Sequence, residues 1–282
     1  MKIKLIALDL DGTLLNSCGY VTNETIMAIT TAIEKGVEVV LATGRSVGLI
    51  CDNLRDIKEI KYVIASNGAA VIDLRENKVI FSEYISVEVL KKIIEIIEKF
   101  PIVVEFYSNG YIYIDEDIIV NTSKYGISNE TIKFISNNHK LVKNIFPLIR
   151  EGNNVEWLNS IEKVNIPFLK EDMKNELFNS LLLIRNKVKV TSSVIDNIEI
   201  NTINTNKGNA LKKLIEIIGI NLKETAAIGD NNNDIEMIEE VGIGIVMGNA
   251  SDDIKIKADL ITLSNDEGGA ALAIFKILSD YL

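Results

Sequence analysis

A doubly wound α/β core, with a parallel sheet covered by helices on both faces and an α+β module inserted into it, is the fold class that the sequence predicts. Three observations carry this. Short apolar runs alternate with amphipathic helical segments toward both ends of the chain, the pattern of βαβ units. The polar segments Asp9-Leu10-Asp11, Thr43-Gly44-Arg45 and Gly229-Asp230 each follow such a run directly, where open α/β sheets hold their ligands. Between them the alternation gives way to hairpin and α+β patterning.

Element by element, the apolar run ending at Leu8 reads as the first strand. Thr22 is placed to cap a helix with Ile26, Ile29 and Ile33 on one face, and Gly36 stands where a C′ glycine belongs. Residues 37–41 read as a strand, 46–54 as a helix and 62–65 as a strand, which predicts a parallel sheet buried on both sides. Past residue 82 a helix over 86–100 leads into strands at 103–107 and 111–114 flanking Asn109-Gly110, a strong hairpin signal. Residues 170–183 read as a helix and 187–191 as a strand, within an antiparallel module. Alternation then resumes with a helix over 207–218 closed by Gly219, a strand at 225–228, a helix from about Asn233, a strand at 243–247 and a helix from about Gly268. The core is therefore assigned to 1–82 and 203–282, and the inserted α+β domain to 83–202.

Composition bounds the function. With 47% hydrophobic residues over 282 positions, the chain can bury a large core. Acidic residues number 40 against 30 basic, a net charge of -10, so the surface as a whole repels nucleic acid and anionic lipid. Neither partner is expected, and no bilayer-spanning segment stands out. The apolar start is interrupted by Asp9 and Asp11 before it could serve as a signal peptide. Cys18 and Cys51 fit neither a disulfide framework nor a paired metal motif, so both read as inert thiols in a reduced, cytoplasmic setting.

The chemistry gathers around acids. Aspartate is a poor strand former and is rarely buried unpaired, so Asp9 and Asp11 at the tip of the first strand require a metal ion or covalent phosphate chemistry to explain them. Asp230-Asn231-Asn232-Asn233-Asp234 begins like a calcium loop but has Ile235 and Val241 where that loop needs glycine and glutamate. A hard cation such as Mg²⁺, held by a few carboxylates and substrate phosphate, fits these oxygens better. Lys207 opens a helix, where its charge opposes the helix dipole; taken alone it reads equally as a solvated lysine, and beside the three polar segments a phosphate-binding role accounts for it better. His139 is the only histidine and lies in the insertion, which argues against a Ser-His-Asp triad or a polyhistidine zinc site; it reads as a solvated loop residue. The glycines of 242–248 have the wrong spacing for a dinucleotide fingerprint and read as strand and turn positions. Tyr107, Tyr111, Tyr113 and Trp157 read as packing residues before sugar-stacking ones, and Asp115-Glu116-Asp117 as a solvated turn.

In these motifs the chain resembles a haloacid-dehalogenase-superfamily phosphatase of the Cof type. The first motif is Asp9-Leu10-Asp11-Gly12-Thr13-Leu14-Leu15, the second Thr43-Gly44-Arg45, the third Lys207-Gly208 and the fourth Gly229-Asp230-Asn231-Asn232-Asn233-Asp234. Ser66-Asn67-Gly68-Ala69 looks like the stretch after the third core strand of that subfamily, and 83–202 is placed like its α/β cap. Residues 202–206 lack the Gly-Val-Ser type of lead-in to the lysine. The resemblance implies a Rossmann-like core and a Mg²⁺-dependent hydrolysis of small phosphorylated metabolites, sugar phosphates first. Asp9 would attack phosphorus to form an aspartyl-phosphate, and Asp11 would protonate the leaving group and then activate water. Mg²⁺ would be held by Asp9, the Asp11 carbonyl and Asp230. Leu10 N–H, Thr43, Gly44 N–H, Lys207 and Asn233 would surround the phosphoryl oxygens, with Asp234 orienting Lys207 or a metal-bound water. Arg45 is left between touching substrate and pairing with a carboxylate. The cap would close over the core and choose the substrate. The alternatives are a phosphosugar phosphotransferase or mutase using the same aspartyl-phosphate, and a non-catalytic phosphometabolite sensor. Oligomeric state is not encoded in any of these features.

Overall fold

The computed structural model describes residues 2–50, 54, 57–152 and 155–281. It divides into two compact units, one of Met1–Ser82 with Asn206–Leu282 and one of Glu83–Thr205. The first unit begins with β1 (Leu5–Leu8), α1 (Asn23–Glu34), β2 (Glu38–Ala42), β3 (Tyr62–Ala65), β4 (Ala70–Asp73) and β5 (Lys78–Ser82). The inserted unit holds α2 (Val87–Ile97), β6 (Glu105–Ser108), β7 (Tyr111–Asp115), α3 (Asn129–Asn138), β8 (Lys140–Val142), α4 (Ile145–Glu151), β9 (Ile161–Ile166), α5 (Glu171–Leu181), β10 (Val188–Thr191) and β11 (Ile198–Thr202). The chain completes the first unit with α6 (Lys207–Ile218), β12 (Thr225–Gly229), α7 (Ile235–Glu240), β13 (Ile243–Val246), β14 (Leu260–Ile261) and α8 (Gly269–Asp280).

The first sheet runs β14-β13-β12-β1-β2-β3-β4-β5. Every pairing from β14 to β3 is parallel, whereas β3-β4 and β4-β5 are antiparallel. The sheet is therefore mixed, where the sequence predicts a parallel one, because β4 and β5 are a short hairpin too brief to show in the alternation. The period-2 alternation decides the layers. Ile6, Leu8, Val39 and Leu41 face one cluster with α1 and α8, while Leu5, Ala7, Val40 and Ala42 face another with α6 and Met237 of α7. Both faces being apolar, β1 is buried along its length.

Helix boundaries follow from local chemistry. The Thr22 hydroxyl accepts from Thr25 N, and Asn206 does the same for Asn209 N at the start of α6. Gly219 ends α6 in the left-handed region. Of the helix expected over 46–54, the structure shows a single 3-10 turn at Val47–Leu49 and helical backbone at Leu54; residues 51–53 and 55–56, Cys51 among them, lie outside the described residues.

In the inserted unit the order is β10-β11-β9-β6-β7-β8, antiparallel except for the parallel β7-β8 pair. Asn109 and Gly110 have φ of 50° and 81° and turn β6 into β7. One face of the sheet packs Phe106, Val164, Ile166, Ile198 and Ile200 against α2, α4 and α5. The alternate residues are polar and buried: Glu105, Tyr107, Lys163, Asn165, Glu199 and Asn201. Lys163 donates to Glu199 at 2.7 Å and Asn165 to Glu105 at 2.8 Å. Val164-Asn165-Ile166 in β9 and Ile198-Glu199-Ile200-Asn201 in β11 carry the period-2 alternation of strands, which the sequence reading leaves unassigned. His139 is likewise no loop residue in solvent: it is buried, with Nε2 3.0 Å from Glu105 Oε1. Nor is 115–117 a solvated turn, since Asp115 accepts from Ile145 N and Asp117 N. Tyr113 stacks on Trp157 with centroids 4.5 Å apart, and the Lys163 ammonium lies 4.3 Å from the Tyr107 ring centre. No helix among the described residues is long and apolar enough to cross a membrane.

Candidate active site

The carboxyl ends of β1, β2 and β12 deliver the polar segments to one place. Asp9 N extends the ladder to Ile228 O and Thr43 N extends it to Ile64 O, so Asp9 and Thr43 sit one residue beyond their strands with fixed backbone. After Asp9 the chain folds back, Leu15 N donating to Leu10 O. Gly12 makes that return at φ 85°, and a Cβ there would stand 2.3 Å from Asp230 Oδ2. Only glycine satisfies both the left-handed backbone and the close approach.

At the centre lies Lys207, fully buried. Its Nζ donates to Asp9 Oδ1 at 2.5 Å and to Asp234 Oδ1 at 2.7 Å. Asp234 is spent on structure, because its Oδ2 also accepts from the backbone N–H of Asp230 and Asn231 at 3.1 and 3.0 Å. Asp230 Oδ1 accepts from Thr13 Oγ1 at 3.2 Å, and Asn249 Nδ2 lies 3.4 Å from Asp230 Oδ2 and 3.0 Å from Gly12 O. The structure therefore brings Asp9, Lys207, Asp230 and Asp234 together from positions far apart in the chain.

Three carboxylates share this space with a single ammonium. Burial, reinforced by Asp234, drives the Asp9 carboxyl well above the ordinary carboxylate range, and burial with Asp234 likewise pushes Asp230 up to about 6. Burial works against the charge of Lys207, but Asp234 and Asp9 more than offset it and hold its proton above the usual lysine range. Asp9 Oδ2 is buried without a hydrogen-bond partner. One carboxylate oxygen from each of Asp9, Asp230 and Asp234 lies within 4.8 Å of the others. An excess of negative charge, an orphaned oxygen and an all-oxygen donor set fit a hard divalent cation. Asp9 and Asp230 are the better donors of the three, since both oxygens of Asp234 are occupied.

Asp11 points elsewhere. It is exposed, and Arg45 clamps it with two bonds, Nε to Oδ2 at 2.9 Å and a terminal nitrogen to Oδ1 at 2.6 Å. Arg45 also donates to Leu49 O at 3.1 Å. Thr43 is buried, and its hydroxyl accepts from Arg45 N at 3.1 Å. Gly44 is half-buried beside it, while Leu10 lends its backbone to the loop and its side chain to the core. Asn233 is half-buried and donates from Nδ2 to Asn67 Oδ1 at 3.2 Å.

Thr13 and Asn67 stand in the sequence motifs without a role of their own, and Asn249 stands in none of them. Asn249 lies in the loop after the carboxyl end of β13, at the same end of the sheet as Asp230 after β12, and that position was the available signal.

A doubly wound core with an acid and lysine cluster at the carboxyl ends of its central strands has the class of ligand site that open α/β sheets build, here with an all-oxygen donor set. The chain belongs to the haloacid dehalogenase-like hydrolase family, whose model matches residues 6–274, and it is a phosphatase. It is 32% identical over 281 residues to 5-amino-6-(5-phospho-D-ribitylamino)uracil phosphatase YcsE of Bacillus subtilis, covering 97% of this chain and 95% of the relative. A putative phosphatase of the same organism, YxeH, is 32% identical over 278 residues, with 98% of each chain covered. Among solved structures, the subclass IIB sugar phosphatase BT4131 superposes with a TM-score of 0.78 at 26% identity, covering 97% of this chain and 99% of that one. A haloacid dehalogenase-like hydrolase from B. subtilis gives a TM-score of 0.80 at 29% identity, covering 97% and 99%.

Proposed function

We propose that the protein is a Mg²⁺-dependent phosphatase of small phosphorylated metabolites, sugar phosphates in particular, acting through an aspartyl-phosphate on Asp9. The observation that carries this reading is the buried pair of Asp9 and Lys207 with the half-buried Asp230, in which a carboxylate stands beside both a fixed ammonium and a group of carboxylate oxygens that could hold a cation. The relatives support the substrate class: one is named for a phosphorylated ribityl compound and one is titled a sugar phosphatase.

Phosphate monoesters hydrolyse so slowly unaided that the site must lower the barrier by on the order of 20 kcal/mol. Asp9 attacks phosphorus, the bond from phosphorus to the leaving oxygen breaks, and Asp11 gives that oxygen its proton. Asp11 then takes a proton from water as the water oxygen attacks phosphorus, releasing inorganic phosphate and restoring Asp9. Lys207, Thr43, the Leu10 and Gly44 N–H groups and Asn233 stabilise the phosphoryl oxygens. Asp234 holds Lys207 in place. Asp9, Asp230 and the Asp11 carbonyl would hold Mg²⁺, which when bound neutralises charge between the anionic nucleophile and its anionic substrate. Unit 83–202 is assigned to substrate choice.

The test is phosphate release from a panel of phosphorylated metabolites with and without Mg²⁺, for the wild-type protein and for Asp9→Asn. Release that requires Mg²⁺ and vanishes in the variant supports the reading. Full activity of Asp9→Asn would remove Asp9 from the chemistry, and isomerised phosphosugars without free phosphate would make the protein a mutase.

A further inference from the structure

Between β3 and β4 the backbone turns left-handed at three successive residues, Ser66, Asn67 and Gly68, with φ of 53°, 61° and 101°. Ser66 and Asn67 have side chains and are buried, and such conformations persist only where the surroundings over-determine them. Ser66 N donates to Arg45 O at 3.0 Å and Asn67 N to Thr43 O at 3.1 Å. On the other side, a Cβ on Gly68 would stand 2.3 Å from Asn206 O, so the turn lies directly on the chain entering α6 at Lys207. The Asn67 side chain then reaches the fourth motif, its Oδ1 accepting from Asn233 Nδ2 at 3.2 Å. One strained turn thus touches the segments carrying Thr43, Lys207 and Asn233.

We propose that Asn67 is a positioning residue that fixes the amide orientation of Asn233 for an anionic phosphoryl oxygen. An asparagine amide carries a donor end and an acceptor end of nearly the same shape, and the two are opposite in their effect on an anion. The bond to Asn67 Oδ1 occupies one N–H of Asn233 Nδ2 and leaves the second on that nitrogen as a donor. Turned over, the amide would present Oδ1 in its place and repel the phosphoryl group. Among the described residues no other bond holds the Asn233 amide. The strain of the turn sets the Asn67 side chain where it can act as this stop. The inference rests on the phosphatase reading of the site.

Asn67→Gly is the informative variant, because glycine accepts the left-handed backbone while removing the amide. Inorganic phosphate binding by calorimetry and kcat and KM on a substrate found in the panel are measured for Asn67→Gly, Asn233→Ala and the double variant. We expect Asn67→Gly to keep its melting temperature and to lose about three- to tenfold in phosphate affinity, the span of one hydrogen bond. The double variant should lose no more than Asn233→Ala alone. Unchanged phosphate affinity in Asn67→Gly, or losses that multiply in the double variant, would overturn the role of Asn67 while wild-type turnover left the phosphatase reading standing. A wild-type protein that released no phosphate from any substrate would fail that reading first, and this inference with it.

Discussion

Lys207 Nζ donates to Asp234 Oδ1 across 2.7 Å, with neither side chain exposed to solvent. The lysine also holds Asp9, so its removal leaves two buried carboxylates without their cation. Breaking a buried pair from one side costs about 3–5 kcal/mol. Lys207→Ala should lose stability on that scale in denaturant unfolding of the metal-free protein, and phosphate release with it. A loss below about 1 kcal/mol would mean that the cluster relaxes into water.

Asn249 bonds the Gly12 carbonyl and approaches Asp230, tying together two walls of the oxygen cluster. Outer partners of metal ligands tune affinity by about 10- to 100-fold when removed. Asn249→Ala is expected to weaken Mg²⁺ binding, read as a smaller Mg²⁺-induced rise in melting temperature than that of wild type. An identical rise in both proteins would make Asn249 a loop-packing residue only.

The pair of Arg45 and Asp11 is half in solvent, with side-chain exposures of 32% and 51%. Ion pairs so placed contribute less than about 1 kcal/mol. Arg45→Ala should therefore barely move the unfolding midpoint, yet it frees the carboxylate proposed as the acid and base. We expect kcat to fall, with the fold retained. A large stability loss and normal kcat would reverse the assignment.

In the inserted unit, hydrogen bonds from Lys124, then Tyr125 and Asn121, hold the Asp117 carboxyl down to about 2. With the folded value below the unfolded one, near 3.8, the stabilisation is fully present above the unfolded value and is lost as pH falls toward 2. Asp117→Asn should consequently melt below wild type at neutral pH, with the gap closing between about pH 4 and pH 2. A gap independent of pH would show that the charge of Asp117 is not what matters.

The core was legible because it obeys periodicities that neighbours in sequence enforce. Thr22 and Gly36 bracket α1, Gly219 closes α6, and the strands that build the site are apolar on both faces. The acids Asp9 and Asp230 announced themselves by standing at the ends of such strands, where backbone sterics and burial alone would not put them. That they gather was an expectation from strand order, and it needed no side-chain geometry. What the sequence could not carry is everything decided by partners distant in the chain. The polar face of β6, β9 and β11 reads as solvent-facing until Lys163 finds Glu199 and Glu105 finds Asn165 and His139. Asn67 is an unremarkable turn residue until the fold sets it against Asn233. The division of labour among the acids is likewise tertiary: Asp234 gives both oxygens to Lys207 and the backbone, Asp11 is held by Arg45, and Asp9 keeps one buried oxygen unpaired. Local periodicity reports which way a residue faces, and only the packed structure decides which charge it meets there.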